Sequence, residues 1–322
     1  MRVLFVFLDG VGIGPPSLYN PLATQSWHAF EQLAGSHPWT APFRSVDTDT
    51  HVVKAIDACL GVEGLPQSGT GQATLFTGVN CAEHVGRHFG PYPHSTTQEI
   101  VRENNLFRRI GTLQASVTPE SDSGSGARTH AAAFANAYPP QFFDWVNDRG
   151  WYTVTTLSAV ESGLSLRQSA DLAAGKAVSA DITAKGWPDP DASIPPRSEA
   201  DAARHLVDLH RNHRCTLFEY YLTDKAGHGR LDVPAEDIIG SVDRFLNGIV
   251  EAMDPSSECL VITSDHGNIE NLNSKTHTRN PVPLIAWGAG ASVFRTVTDL
   301  SGVTPAIETL LRTHLTAPAD KS

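Results

Sequence analysis

The sequence predicts an α/β fold built on a largely parallel central sheet. Three observations predict it. Short apolar runs rich in β-branched and aromatic residues recur at Val3–Leu8, Thr216–Leu222 and Leu260–Thr263. Continuous runs of this length read as strands buried on both faces. Amphipathic stretches of helical period stand between them. Each run also stops at or just before an aspartate with glycine close behind: Asp9-Gly10, Asp224-Lys-Ala-Gly227 and Asp265-His-Gly267. The carboxyl ends of parallel strands are where α/β proteins place their chemistry.

The chain has 322 residues, enough for one large α/β domain or two smaller ones. Its 40% hydrophobic and 18% charged residues are those of a globular protein. The formal net charge is −11, and no basic run interleaved with aromatics occurs, which excludes nucleic acid as a partner. An acidic chain that handles phosphate needs local positive charge, and bound metal supplies it. Cys59, Cys81, Cys215 and Cys259 are too scattered for a Cys-x-x-Cys site. Two of them border strands and read as core thiols in a reducing compartment. The apolar Val3–Leu8 is too short for a signal peptide or a membrane span, so a cytoplasmic protein without membrane contact is expected.

The elements follow in order. Val3–Leu8 ends at Asp9-Gly10-Val11-Gly12-Ile13-Gly14-Pro15-Pro16, a tight loop that lets a ligand approach Asp9. The glycine spacing is wrong for a dinucleotide loop, and prolines stand where a helix should open. Thr24–Leu33 is an amphipathic helix, 36–64 is irregular, and His51–Ile56 is a strand within it. Thr70–Thr77 is a helix, with Ser68 just before its N-terminus. Free N–H groups and the helix dipole there favour an anion. Neither a nucleophile elbow nor a phosphate-binding Walker loop is present. Arg87 and His88 fall in a Gly/Pro-rich stretch, and Arg87 is a candidate for the substrate anion. Asn105–Ile110 is a helix, Ser121–Arg128 a mobile Ser/Gly loop, and His130–Ala137 a strand.

Residues 139–199 form a small inserted cap, leaving 1–138 and 200–322 as the core. The Pro-rich stretch 187–197 reads as a linker within it. Ser198–Arg211 is a helix with Ser198 as its cap and acids in its first turn. Pro234–Ala252 is a long helix, Val282–Trp287 a strand and Val303–Thr313 the last helix. The tail from Ala317 is expected to be disordered. His28, His37, His205, His210 and His213 are read as surface residues, and Asn268 as a turn residue.

Three strand ends therefore carry Asp9, Asp224 and Asp265. His228 follows at four residues, His266 at one, and His277 stands in the loop Asn271–Asn280. Three carboxylates on one rim would repel and resist ionising together. A pair of divalent cations removes the conflict, and mixed carboxylate and imidazole suits Zn²⁺ or Mn²⁺ rather than Ca²⁺. Six ligands serve two ions, with Ser68 as a bridging seventh. A metal activates a bound hydroxyl, so Ser68 can attack phosphorus and form a phosphoserine. Thr70 is the alternative nucleophile or a substrate contact, and Lys225, beside a ligand, a phosphate contact. The partner expected is a small phosphorylated metabolite.

Five words carry a family resemblance: Leu8-Asp9-Gly10-Val11-Gly12, Ser68-Gly-Thr-Gly-Gln, Asp224-Lys-Ala-Gly-His228, Thr263-Ser-Asp265-His266-Gly-Asn268 and His277-Thr-Arg-Asn-Pro-Val-Pro. In this order the set resembles the alkaline phosphatase superfamily, and within it the cofactor-independent phosphoglycerate mutase and phosphopentomutase branch. The words anchor the two ends of the chain; the middle is matched by none. The resemblance implies a three-layer α/β/α sandwich with two divalent metals. Asp224, His228 and His277 would hold one, and Asp9, Ser68, Asp265 and His266 the other, with Ser68 as nucleophile. The activity implied is that of a phosphomutase or phosphomonoesterase. The other readings are a phosphodiester or phosphonate hydrolase on the same site, and a metal-binding protein without turnover. The Cys/Ser-x-Pro-x-Arg word of sulfatases is absent around Ser68. Mutases of this branch carry a larger insert than residues 139–199.

Overall fold

A computed structural model of the chain describes residues 1–117, 130–189 and 194–316. Strand β1, Arg2–Leu8, is the centre of the sheet. Its side chains alternate between two cores, as a pleat of period two requires. Val3, Phe5 and Phe7 enter one core, and Leu4, Val6 and Leu8 the other. A strand buried on both faces needs a helical layer on each side. The first core is closed by the helices Ser68–Thr77, Leu106–Val117, Val154–Glu161 and Val303–Thr316. The second is closed by His28–Leu33, Glu199–His210 and Ala235–Ala252. The result is a three-layer α/β/α sandwich.

The other strands are β2 (Val46–Asp47), β3 (His51–Ile56), β4 (His130–Phe134), β5 (His213–Tyr220), β6 (Glu258–Thr263) and β7 (Val282–Gly288). They order as β2-β3-β7-β6-β1-β5-β4. The run β6-β1-β5-β4 is parallel, while β7 lies antiparallel to both β6 and β3. Register places Phe7 beside Thr263 and Leu8 beside Tyr220. The carboxyl ends of β1, β5 and β6 thus meet at one rim.

Several boundaries differ from the sequence expectation, each for a physical reason. Strand β5 stops at Tyr220, because Leu222–Gly227 coils into a short helix; Asp224 lies in that helix, not at the strand end. Ser68 is the first residue of its helix, with Gln67 as the cap, rather than the residue before it. The first predicted helix begins at His28, not Thr24. Its N-terminus is closed from a distance by Asp243 Oδ1, which accepts from Ala29 N and Phe30 N at 2.8 and 3.1 Å. The helix at Asn105–Ile110 runs on to Val117 and the terminal helix to Thr316. Strand β4 ends at Phe134, and Asn136 and Ala137 continue as isolated bridges to Val178 and Arg167. Ser198 caps its helix as expected, accepting from Asp201 N at 3.1 Å.

Within residues 139–199, Val154, Leu157 and Ala159 pack into the main core. Leu172, Ala177 and Ala184 form a separate small cluster with Ala137. Trp187 and Ile194 pack on that cluster, so the Pro-rich stretch is not a free linker where it is described. His210 and His213 are buried rather than on the surface; His213 Nδ1–H donates to the Leu209 carbonyl at 2.8 Å. The Ser121–Arg128 loop and the tail from Ala317 lie outside the described residues. Among the described residues, no helix is long and apolar enough to cross a membrane.

Candidate active site

All seven predicted ligands lie together at the carboxyl rim of β1, β5 and β6, in two groups. Each group offers three ligand atoms within 4.8 Å of one another: Asp9, Asp265 and His266 in one, Asp224, His228 and His277 in the other. The backbone explains the placement. Asp9 follows β1 directly, and its N–H donates to Tyr220 O at 3.0 Å, which ties it to β5. Asp265 follows β6 by two residues. The helical turn Leu222–Gly227 puts Asp224 and His228 one turn apart on the same side, His228 Nε2 lying 3.4 Å from Asp224 Oδ1. His277 arrives from the loop before β7 and stacks on His266, with ring centres 3.7 Å apart.

In the first group, Ser68 Oγ lies 2.9 Å from His266 Nε2. The same nitrogen is 3.4 Å from Asp9 Oδ1 and 3.5 Å from Asp265 Oδ2. Those two oxygens are buried and make no hydrogen bond. Buried polar atoms are rarely left without a partner. Here two unpartnered carboxylate oxygens converge on an imidazole nitrogen and a hydroxyl that bond to each other, an arrangement that a cation would satisfy. Burial, followed by the charges of Asp265 and Asp224, holds the Asp9 carboxyl well above the ordinary carboxylate range. Burial also lowers His266. The group is short of positive charge.

In the second group the donors fix the tautomers. His228 Nδ1–H donates to Lys275 O at 2.7 Å, and His277 Nδ1–H to Pro66 O at 2.6 Å. Carbonyl oxygens only accept, so each neutral ring keeps its lone pair on Nε2. The two Nε2 atoms face each other at 3.1 Å, both about 3.5 Å from Asp224 Oδ1. Two lone pairs so close need a proton or a cation between them. Backbone carbonyls that orient metal-binding imidazoles in this way are a regular feature of metal sites. Burial pushes the Asp224 carboxyl up, but the bond to His277, the charge of His266 and the amide of Asn268 outweigh it and hold the carboxyl far below its usual range. Burial would lower His277; its contacts with Asp224 and the Pro66 carbonyl raise it instead. Both groups fit a divalent ion.

The helix Ser68–Thr77 is buried along its whole length. A Cβ on Gly69 would fall 2.1 Å from Tyr92 O, so only glycine lets the helix start against this loop. Thr70 N donates to Phe89 O at 2.8 Å, and Gly71 N to Gln67 O at 2.8 Å. The loop at Gly90 packs against this end: a Cβ there would fall 3.2 Å from both the Ser68 and Gly69 nitrogens. The Thr70 hydroxyl is engaged by the backbone, accepting from Phe89 N at 3.1 Å and donating to Gln67 O at 3.4 Å. Arg87 is exposed, its guanidinium 5.9 Å from the Phe89 ring centre, and does not line the cavity above Ser68. Lys225 does line it, with Nζ 4.6 Å from the centre of the Tyr221 ring.

Sequence reasoning missed two carboxylates. Glu270 is buried and joins three loops: Gly12 N donates to Oε2 at 3.0 Å, Asn268 N to Oε2 at 2.7 Å, and Asn280 Nδ2 and the Thr278 hydroxyl to Oε1. It fixes the Asp9, Asp265 and His277 loops relative to one another. Its only signal was an acid in an apolar setting two residues after Asn268. Glu219, on β5, lines the same cavity, and Thr155 Oγ1 donates to it at 2.7 Å. Asn268 is more than a turn residue: its Nδ2 donates to Asp224 Oδ1 at 2.7 Å. Gln72 Nε2 similarly donates to Asp9 Oδ2 at 3.2 Å.

Residues 193–315 match the family model "Metalloenzyme superfamily". The chain is similar to 2,3-bisphosphoglycerate-independent phosphoglycerate mutases. It is 31% identical over 120 residues to the one from Thermomicrobium roseum, covering 35% of this chain and 22% of that one. It is 28% identical over 93 residues to the one from Pyrococcus abyssi, covering 29% and 22%. The chain thus spans about a quarter or less of the length of these relatives. Among solved structures, its fold is similar to a cold-active alkaline phosphatase from Shewanella sp., with a TM-score of 0.55 at 11% identity, covering 97% of this chain and 100% of that one. It is also similar to the PH0037 protein from Pyrococcus horikoshii, with a TM-score of 0.54 at 15% identity and coverage of 99% and 98%.

Proposed function

We propose that the chain is an alkaline phosphatase superfamily member, on the side of its phosphoglycerate mutases, and a two-metal phosphoryl-transfer enzyme working through Ser68. The observation that carries the reading is the convergence of Ser68 Oγ with His266 Nε2 and the unpartnered oxygens of Asp9 and Asp265, beside a second three-ligand group. Asp9, Ser68, Asp265 and His266 would hold one Mn²⁺ or Zn²⁺, and Asp224, His228 and His277 the other. When bound, such ions lower the pKa of the serine hydroxyl and offset charge on a transferring phosphoryl group.

The chain's own groups do the rest. Gln72 and Asn268 orient the Asp9 and Asp224 carboxylates. The positive end of the Ser68 helix dipole would lie toward the phosphoryl oxygens. The Ser68 hydroxyl gives up its proton and its oxygen bonds to phosphorus. The ester O–P bond breaks, and the leaving oxygen takes up a proton. A water or a second hydroxyl then receives the phosphoryl group, and Ser68 regains its proton. The substrate is a small phosphorylated compound, with neither nucleic acid nor membrane as partner, and the four unpaired thiols suit a reducing cytoplasm.

The test is Ser68→Ala in protein loaded with Mn²⁺ or Zn²⁺. Hydrolysis of a generic aryl phosphate should fall by about a thousandfold or more, with metal still bound. Unchanged turnover would falsify the assignment of Ser68. Following free phosphate and isomeric product together separates a hydrolase from a mutase.

A further inference from the structure

A cavity of about 670 Å³ opens above Ser68, Asp9 and Asp224. That is the size of pockets that enclose drug-sized ligands, and far more than a three-carbon phosphate fills. Its walls are aromatic. Tyr92, Tyr138, Phe142, Trp145 and Trp187 line it, drawn from three separate stretches of chain, and none of the five is fully buried. Tyr92 and Trp145 stack with ring centres 6.2 Å apart and planes 24° apart, while Tyr138 and Phe142 lie 4.2 Å apart. The Trp187 indole N–H donates to Ser169 Oγ at 3.1 Å, which fixes its ring. Tyr138 also packs on the main core and Trp187 on the small cluster, while Tyr92, Phe142 and Trp145 are partly exposed rings that face the space above the nucleophile.

The cavity also holds Lys225 and Arg230. Among the described residues neither forms an ion pair, although the chain carries a net charge of −11. A cation without a carboxylate partner suits an anionic ligand.

We propose that this cavity selects phosphate esters whose organic part is a flat ring system, held among Tyr92, Trp145 and Trp187 while the phosphate meets Ser68. This rests on the phosphoryl-transfer reading and sets the substrate class apart from small glycerate or open-chain phosphates. Stacking on rigid aromatic walls favours planar groups. The phosphate end is drawn by Lys225 and Arg230 past the rings to the Ser68 helix start.

The experiment is calorimetric binding to metal-loaded Ser68→Ala protein, which cannot turn over. The probes are 1-naphthylphosphonate, phenylphosphonate and methylphosphonate. The ring compounds should bind at least about tenfold more tightly than methylphosphonate. Trp145→Ala should cut that preference to a few-fold. Trp145 is half-exposed, and Trp187→Ala serves as the second variant should the first fail to fold. Equal affinities, or a preference that survives both truncations, overturn the proposal. In parallel, kcat/KM of the wild-type enzyme is compared for 1-naphthyl phosphate, adenosine 5′-monophosphate, 3-phosphoglycerate and glycerol 2-phosphate. At least one ring ester should lead by about tenfold, and a lead by either open-chain ester counts against the proposal. If the wild type turns over none of the four above the Ser68→Ala control, the phosphoryl-transfer reading fails, and the phosphonate affinities still decide what the cavity prefers.

Discussion

Single side chains set the electrostatics of the site, and Glu219 shows how. Burial, opposed by the Thr155 hydroxyl and reinforced by Asp265, pushes its carboxyl up to about 7. The unfolded chain loses that proton near pH ~4.3. Between these values the folded protein binds a proton that the unfolded chain has released. The stability tied to Glu219 is therefore full below pH ~4.3 and falls as the pH climbs to about 7, by on the order of 3 kcal/mol. In metal-free protein, Glu219→Gln should flatten this part of the pH–stability curve, read by urea unfolding at several pH values. A slope between pH 5 and 7 equal to that of the wild type would refute it. Glu219 went unnoticed in the sequence because an acid inside an apolar strand, Leu217-Phe218-Glu219-Tyr220, carries no periodic signal of its own. Glu270 escaped for a related reason. Its partners Gly12 and Thr278 are loop residues, one of them 258 positions away.

At the scale of elements, the helix Ser68–Thr77 is placed by what it lacks. Alanine in a helix interior normally stabilises by about 1 kcal/mol over glycine. At Gly71 the sign should reverse, since a Cβ would stand 2.9 Å from Asp265 O and 3.3 Å from Asp265 Cβ. The Asp265 loop would have to give way. Gly71→Ala should cost roughly 1–3 kcal/mol of stability and weaken metal binding, seen together in thermal unfolding and metal titration. A rise in stability with metal affinity intact would show that the helix and the Asp265 loop are not so closely packed. The short helix Leu222–Gly227 makes the same point about legibility. The four-residue spacing of Asp224 and His228 was visible in the sequence, but the turn that makes the spacing work was read as the end of a strand.

For the molecule as a whole, three carboxylates and three imidazoles at one buried rim make the fold depend on what neutralises them. Chelation should lower the thermal midpoint, and Mn²⁺ or Zn²⁺ should restore it. Metal at a hundred times its dissociation constant adds about 2.7 kcal/mol, which corresponds to roughly 4 °C for a chain of this size. Identical midpoints with chelator and with metal would mean that the cluster binds no ion. The two cores on either side of β1 hold the rim rigid, since neighbouring strands in register fix Leu8 against Tyr220 and Phe7 against Thr263.

The sequence by itself determined the strands of the parallel run and the ends that carry Asp9 and Asp265, because those depend on short-range patterns: an apolar run, an aspartate, a glycine to turn on. It placed Asp9, Asp224 and Asp265 at one rim, since parallel strands converge whatever lies between them. His277 could be placed there only through the loop into β7. The tertiary structure decided what the chain cannot announce locally. It turned Thr70 to the backbone and left Arg87 outside the cavity, because the direction of a side chain from a helix start or a loop is set by what packs against it. It buried His210 and His213, which sit where a helix meets a strand. It gathered Tyr92, Trp145 and Trp187 over Ser68 from stretches that share no motif. Contacts between residues far apart in sequence follow from sheet order and layer packing, and neither is written in any one segment.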